Sequence, residues 1–334
     1  MESRMNCRKK VFQWTALVIL PFLSFTVWAF DPLGTPDRDA IEYPEDEAPG
    51  QAEIELGKML FFDNRLSIND QQSCASCHNP DLGFSDGMAF SMGTMGKRVG
   101  RNAPHLYNLA WNLLHFWDGR AASLEEQALG PIEAAGEMNM PLSTLIPKLK
   151  EVPYYDKTFT EVYGSSGVSK ENVGKAIAAF ERSLISDNSP FDQYLAGNKA
   201  AMSPSAIRGL GLFKGKANCA ECHDGSNFTD NSFHNIGVKG DDLGRGAIAN
   251  DKTLNKTFKT PGLRNITLSA PYMHDGSEPS IEAVVRFYNR GGNEKGGVDQ
   301  LIKPLDLSEQ EVNDVVAFLG ALLDPVIVER PALP

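Results

Sequence analysis

The sequence contains the stretches Cys74-Ala75-Ser76-Cys77-His78 and Cys219-Ala220-Glu221-Cys222-His223, two pentapeptides of the form C-x-x-C-H. In this pattern the two cysteines form thioether bonds to a porphyrin, and the histidine that follows can bind the iron as its proximal ligand. The two stretches use four of the five cysteines in the chain. The repetition therefore predicts two covalently bound haem c groups and a redox function.

Two other sites use C-x-x-C. A zinc knuckle needs a second nearby C-x-x-C pair, or a downstream H-x-x-x-H, whereas these pairs lie 145 residues apart. A thioredoxin-like redox motif needs a βαβ setting, of which the sequence gives no sign. Haem attachment is the interpretation that also explains why a histidine directly follows each pair.

Residues 1–29 have the pattern of a secretory signal. Four basic residues precede an apolar stretch that begins at Val11, and Val27-Trp28-Ala29 resembles a small-residue cleavage site. The alternative is an uncleaved membrane anchor, because the apolar stretch is nearly long enough to span a bilayer. We expect cleavage and a periplasmic location, which suits a protein whose haem is attached outside the inner membrane.

The chain is acidic. Its formal net charge is −11, and removal of residues 1–29, with four bases and one acid, makes it −14. Such a charge argues against nucleic acid and anionic membrane surfaces as partners. It would suit a basic electron carrier as partner, but the charge alone favours ordinary solubility as its explanation.

The remaining sequence is mostly helical in pattern. Residues 30–50 are rich in Pro, Asp and Glu and predict an extended N-terminal arm. Ser203-Pro204 is typical of a helix start, and Ser308 with Glu311 forms a capping box. The order helix, C-x-x-C-H, loop, helix occurs twice. We therefore predict a mainly α protein of two packed cytochrome-c-like domains, residues 51–190 and 191–334, with the boundary in the polar segment 187–202.

The mature sequence resembles the bacterial di-haem cytochrome c peroxidase family over nearly its whole length. Besides the two haem motifs, the resemblance rests on short segments spread along the chain: RNAP at 101–104, FWDGR at 116–120, EQA at 126–128, GPI at 130–132, EM at 137–138, FTD at 228–230, FHNIG at 233–237, LRN at 263–265 and APYMHDGS at 270–277. The resemblance implies a peroxide-reducing iron at His78 and an electron-transfer iron at His223.

The resemblance also assigns roles around the first iron. Gln127 and Glu137 fall where the family places its distal pair, and Trp117 falls where it places a tryptophan between the haems. A carboxylate above an open iron can take a proton from peroxide and return it to the leaving oxygen. Without the resemblance, helix capping or surface positions for Gln127 and Glu137, and a core position for Trp117, would be the simpler interpretations.

Two departures from ordinary family peroxidases are informative. Many members carry a histidine ligand in the loop after the first haem motif, but here Thr94 stands at the matching position, which implies an iron that is open at rest. Met92 or Met95 is the alternative ligand. At the second iron, Tyr288 replaces the usual axial methionine, as in the MauG-type branch, where peroxide oxidises both haems together. Ile281, Val284 and Val285 share one predicted helix face with Tyr288, so a plain core tyrosine is the alternative.

The family also has a calcium ion between its haem domains. Its ligands correspond to the Asn102 side chain and the backbone carbonyls of Ser269 and Pro271, and oxygen donors of this kind suit calcium. His234 and His274 lie in family segments, and we expect them to hold loops or haem propionates. Structural roles are also expected for His105 and His115.

The predicted function is that of a periplasmic di-haem peroxidase that reduces hydrogen peroxide. The electron donor is either a small cytochrome or cupredoxin, or a protein whose Trp or Tyr residues are oxidised, as in the MauG-type branch. A plain di-haem electron carrier without catalysis is the alternative function.

Overall fold

The computed structural model describes residues 32–44, 47–294 and 296–334. The predicted signal, residues 1–29, lies outside this part of the chain. Within it, no helix combines the length and apolar character needed to cross a membrane. The α-helices of the described residues are α1 Gln51–Phe62, α2 Cys74–Cys77, α3 Leu124–Glu133, α4 Leu142–Lys150, α5 Pro153–Tyr163, α6 Lys170–Arg182, α7 Pro190–Leu195, α8 Pro204–Lys214, α9 Arg245–Ala249, α10 Ile281–Asn289 and α11 Glu309–Gly320.

Strands are nearly absent from the described residues, as the sequence predicts. The two strands, β1 Phe233–His234 and β2 Phe258–Lys259, pair antiparallel. The mainly α class is therefore confirmed. The predicted helix starts are also correct: the Ser203 hydroxyl accepts from the Ala206 N–H at 3.1 Å, and Ser308 forms the capping box that opens α11.

Each half of the molecule is built around one close helix pair. Helix α1 packs on α6 at Gly57, where a Cβ atom would lie 1.7 Å from the Ala176 carbonyl oxygen. Helix α8 packs on α11 at Gly209, where a Cβ atom would lie 1.9 Å from the Asp314 carbonyl oxygen. Only glycine permits backbones to approach this closely, so both crossings depend on the missing side chain.

Three phenylalanine rings fill the equivalent position in each half. The centroids of Phe61 and Phe180 are 5.1 Å apart, and those of Phe213 and Phe318 are also 5.1 Å apart. Each pair is completed by a phenylalanine from the loop after the haem motif, Phe84 in the first half and Phe228 in the second. The repeat that the sequence indicates therefore extends to the aromatic core.

A pair of asparagines repeats the same connection in both halves. Asn108 and Asn265 have left-handed backbones, with φ of 57° and 58°. The Asn108 amide exchanges hydrogen bonds with the Ser186 backbone, and the Asn265 amide does the same with Asp324. These bonds fix the loop beside each haem motif to the segment that follows α6 or α11.

The chain termini cross between the halves. The N-terminal arm packs on the second half, where the Thr35 hydroxyl donates to Asp192 at 2.8 Å and the Gly34 carbonyl accepts from Arg264. The C-terminal tail returns to the first half, where Val326 and Val328 pack against its aromatic core. The two halves are therefore tied together by both ends of the described chain.

The glycine crossing gives a stability prediction. Gly209→Ala should lower the free energy of unfolding by roughly 1–3 kcal/mol, because the new methyl group would overlap the α11 backbone. Gly211→Ala is the matched control on the same helix: its Cβ meets no atom within 4 Å, so alanine should be neutral or stabilise by up to about 1 kcal/mol. Urea denaturation of the holoproteins measures both changes, and equal stabilities for the two variants would contradict the role of the crossing.

Candidate active site

The two motif histidines are held in the same way. The Nδ1 atom of His78 lies 2.9 Å from the Phe84 carbonyl oxygen, and Nδ1 of His223 lies 2.9 Å from that of Phe228. A carbonyl only accepts hydrogen bonds, so Nδ1 carries the proton and Nε2 keeps its lone pair. Burial lowers the pKa of both imidazoles and keeps them neutral. A metal-binding histidine typically has this tautomer and donates its other N–H to a carbonyl in this way.

The motif cysteines do not have the properties of a redox or zinc site. None of the four forms a disulfide, and burial raises the pKa of Cys77 to about 11 and that of Cys219 to about 12. A redox C-x-x-C needs a lowered thiol pKa. The candidate metal cluster found among the described residues, Cys222 with Asp230 and His234, uses one motif cysteine rather than a C-x-x-C pair. Neutral thiols beside a histidine ligand suit thioether attachment instead.

Each motif opens into its own cavity. The first cavity has Cys77, His78, Gln127 and Glu137 in its wall. The second cavity has Cys219, Cys222, His223 and Tyr288 in its wall, with a largely apolar lining. In both cavities the attachment cysteines adjoin an imidazole whose Nε2 is free to bind iron, so the residues present fit a haem c in each.

Gln127 and Glu137 meet in the wall of the first cavity although they lie ten residues apart. Gln127 is on α3, and Glu137 is in the turn that follows it, where its backbone N–H donates to the Ala134 carbonyl. Burial raises the pKa of the Glu137 carboxyl, and the nearby Arg120 guanidinium acts in the opposite direction. A partly buried carboxylate with a raised pKa is suited to accepting and returning a proton.

The loop after the first motif is docked on the turn that carries Glu137. The Thr94 N–H donates to the Glu137 carbonyl at 2.7 Å, and Gly93 lies directly against the Gly136 backbone. Thr94 is buried, whereas Met92 is 38% exposed and Met95 is 79% exposed. Ser91 and Val99 of this loop line the first cavity, whereas Met92, Thr94 and Met95 do not.

The second cavity is bounded by one face of α10. Ile281, Val284, Val285 and Tyr288 all line it, as their spacing predicts. The Tyr288 hydroxyl makes no hydrogen bond to any residue that the structure describes, and burial raises the pKa of this phenol. The side chain is half-buried and lines the cavity, so its hydroxyl is available to a group bound there.

Pro131 is a site residue that the sequence interpretation missed. Helices α3 and α10 follow equivalent turns, and a shift of 157 residues relates Asn108 to Asn265, Ser123 to Ser280 and Pro131 to Tyr288. Pro131 lines the first cavity as Tyr288 lines the second. The repeat contained this signal. The haem motifs are 145 residues apart, however, whereas the helix positions are 157 residues apart, because the loops between motif and helix differ in length. The spacing of the motifs therefore does not relate Pro131 to Tyr288.

Trp117 lies between the two cavities and contributes to the wall of both. Its Nε1–H donates to the Asn102 carbonyl at 2.9 Å, and its own carbonyl accepts from the Lys259 N–H at 2.8 Å. Its ring meets His274 edge to face at 6.4 Å. The indole is therefore fixed at its ring and at its backbone.

The residues expected to bind calcium come together in the wall of the second cavity. Asn102, Ser269 and Pro271 all line it. The Asn102 Nδ2 donates to the Met88 carbonyl at 2.9 Å, which leaves the amide oxygen available.

The other four histidines have structural surroundings. His105 donates from Nε2 to the Gly262 carbonyl and accepts the Tyr107 N–H at Nδ1, so both nitrogens are satisfied. His115 lines the first cavity, and burial lowers its pKa to about 4. His234 lies between two aspartates, and its hydrogen bonds to Asp230, Cys222 and Asp299 raise its pKa. His274 stacks on Phe258 at 3.6 Å.

Residues 51–200 match the model of the family described as di-haem cytochrome c peroxidase. The methylamine utilization protein MauG of Methylorubrum extorquens is 43% identical over 89% of this chain and 85% of its own. A cytochrome c551 peroxidase of Nitrosomonas europaea is 38% identical over 84% of this chain and 83% of its own.

Among solved structures, a MauG-like protein associated with microbial copper homeostasis superimposes with a TM-score of 0.79. It is 29% identical in sequence, and the match covers 94% of this chain and 96% of that one. The chain therefore belongs to the di-haem cytochrome c peroxidase family: it is an oxidoreductase with two haem c groups that acts on hydrogen peroxide with electrons from a protein donor.

Proposed function

We propose that this enzyme follows the MauG-like variant of the family chemistry, with an open iron at His78 and a second iron held by His223 and Tyr288. The observation that carries the proposal is the difference between two equivalent helix positions. The second half has a tyrosine whose hydroxyl has no partner among the described residues, while the first half has Pro131, whose side chain has no atom that can bind iron.

A haem bound through His78 supplies the iron at which peroxide is reduced. The Glu137 carboxylate accepts a proton from one peroxide oxygen and delivers it to the departing oxygen, which leaves as water. Burial raises the pKa of this carboxyl, which makes it a stronger base for the proton of peroxide than an exposed carboxylate. Gln127, from the same wall, orients peroxide or water by hydrogen bonding.

Trp117 carries oxidising equivalents between the two centres in this proposal. It is the aromatic residue in the wall of both cavities, and its two hydrogen bonds keep the indole in place. A phenolate from Tyr288 at the second iron favours the oxidised state more than a thioether does. Because two centres can hold the oxidising equivalents together, the electrons can arrive later from a protein donor.

The electron donor is the third part of the proposal. The Tyr288 and Thr94 features favour a protein whose Trp or Tyr side chains are oxidised, over a small cytochrome or cupredoxin. We also propose export to the periplasm from residues 1–29, which release of the haem protein by spheroplasting would test. Calcium at Asn102, Ser269 and Pro271 is tested by metal analysis of the purified enzyme before and after treatment with a chelator.

The central experiment is a peroxide titration of the fully oxidised enzyme. We expect reaction without prior reduction, and both haem spectra should change together. Electron paramagnetic resonance of the resting enzyme should show one high-spin and one low-spin ferric haem. Two low-spin haems that ignore peroxide, or a reaction that requires one-electron reduction first, would contradict the proposal.

Glu137→Gln should slow the reaction with peroxide by about 10²–10⁴-fold, because the amide cannot accept the proton. Haem content and the resting spectra should not change. The control is Glu151→Gln, an exposed carboxylate at the end of α4 that should react at the wild-type rate. Stopped-flow spectroscopy measures the rate at which each variant reacts with peroxide. Wild-type rates for both variants would exclude proton transfer by Glu137.

Pro131→Met tests the repeat directly. The thioether would lie at the helix position equivalent to Tyr288, so the first iron should gain a sixth ligand, become low-spin and lose its reactivity with peroxide. Leu129→Met is the control on the same helix, where the side chain packs against the core of the first half. If the high-spin signal survives in the Pro131 variant, the equivalence of the two positions is wrong.

A further inference from the structure

Lys259 is a buried cation at the wall between the two cavities. It is 8% exposed and belongs to β2, where its backbone N–H donates to the Trp117 carbonyl at 2.8 Å. Its side chain contributes to the wall of both cavities. The haem motifs and the distal pair do not account for this residue.

The ammonium has no anionic partner among the residues that the structure describes. Its one hydrogen bond, at 3.3 Å, goes to the Thr260 carbonyl, which already accepts the Thr229 hydroxyl at 2.6 Å. Lys256, three residues earlier, is instead paired with Glu294 at 2.8 Å. A buried charge without a counter-ion is costly, so the surroundings of Lys259 are incomplete without an anion.

The groups around Lys259 indicate which cavity the charge affects. Burial lowers the pKa of His115, with a further contribution from the Lys259 ammonium, and the same holds for His105. His105 lies in the wall of both cavities, whereas His115 lines the first cavity alone, so the charge reaches a residue specific to the first cavity. Asp230, the carboxylate that acts on Lys259 from the second half, is already bonded to His234.

Haem brings its own anions, because each porphyrin carries two propionate carboxylates. We propose that the Lys259 ammonium binds a propionate of the haem held by His78, across the boundary between the two halves. The inference rests on both haems occupying these cavities and is independent of the proposed Tyr288 ligand and distal chemistry. The residue at the equivalent position of the first half is Asn102, which has no charge, so the repeat places one cation at this wall rather than two.

The ion pair has a measurable consequence for the first haem. A positive charge beside the porphyrin stabilises the reduced iron relative to the oxidised iron. Lys259 should therefore raise the reduction potential of the first haem, and it also ties that haem to the strand that fixes Trp117.

The test is a spectroelectrochemical titration of the holoenzyme. Lys259→Met should lower the midpoint potential of the first haem, and Lys259→Arg should keep that potential near the wild-type value. The control is Lys252→Met, at an exposed lysine that precedes β2, which should leave the potential unchanged. An unchanged first-haem potential in Lys259→Met, or a shift confined to the second haem, overturns the proposal. Lower stability with unchanged potentials also overturns it, because the bond to Thr260 would then be the only role.

Resonance Raman spectra provide a second measurement, which can be made on the milder substitution Lys259→Gln. The propionate bending mode of the first haem should shift in Lys259→Gln and should stay at its wild-type frequency in Lys252→Gln. An unshifted mode in Lys259→Gln overturns the ion pair even if Lys259→Met does not accumulate with both haems. Neither readout uses peroxide, so a failure here is distinct from a failure of the proposed peroxidase mechanism.

Discussion

Both centres depend on a single constraint, the hydrogen bond from a motif histidine to a backbone carbonyl. The carbonyls belong to Phe84 and Phe228, whose positive φ turns each loop back over its histidine. The same two phenylalanine rings pack against the helix pair of their half. Because one residue holds the imidazole through its backbone and the core through its side chain, the direction of each iron ligand is fixed by the packing of the whole half.

The two halves share this frame and differ where their chemistry differs. In the proposed ligation, the proline and tyrosine at equivalent turns of α3 and α10 distinguish an open first centre from a second centre that has a sixth ligand. The first half also carries Glu137 in a turn held by the loop of Thr94. A duplicated scaffold of this kind allows one centre to react and the other to store charge, since ligands can change without changing the helix packing.

The boundary between the halves is polar and closely connected. Arg101 binds Asp118 in its own half and Asp242 in the other, and Arg245 donates to the Asp118 and Gly119 carbonyls. These bonds surround the turn that carries Trp117. They hold the indole at a fixed position relative to both cavities, which electron transfer between two separate domains requires.

The amino-acid sequence was enough to predict the two haem sites, the helical class, the helix starts at Ser203 and Ser308, and the apolar face of α10. Each of these features is a local pattern of residue type and spacing. The resemblance to a family then assigned candidate residues such as Glu137 and Tyr288. The folded structure was needed to place Pro131 in the wall of the first cavity and to show that Met92 and Met95 are exposed. It was also needed to show that the Lys259 ammonium has no carboxylate partner among the described residues. These features arise where segments far apart in the chain meet, and such contacts depend on the packing of the two halves rather than on any local pattern.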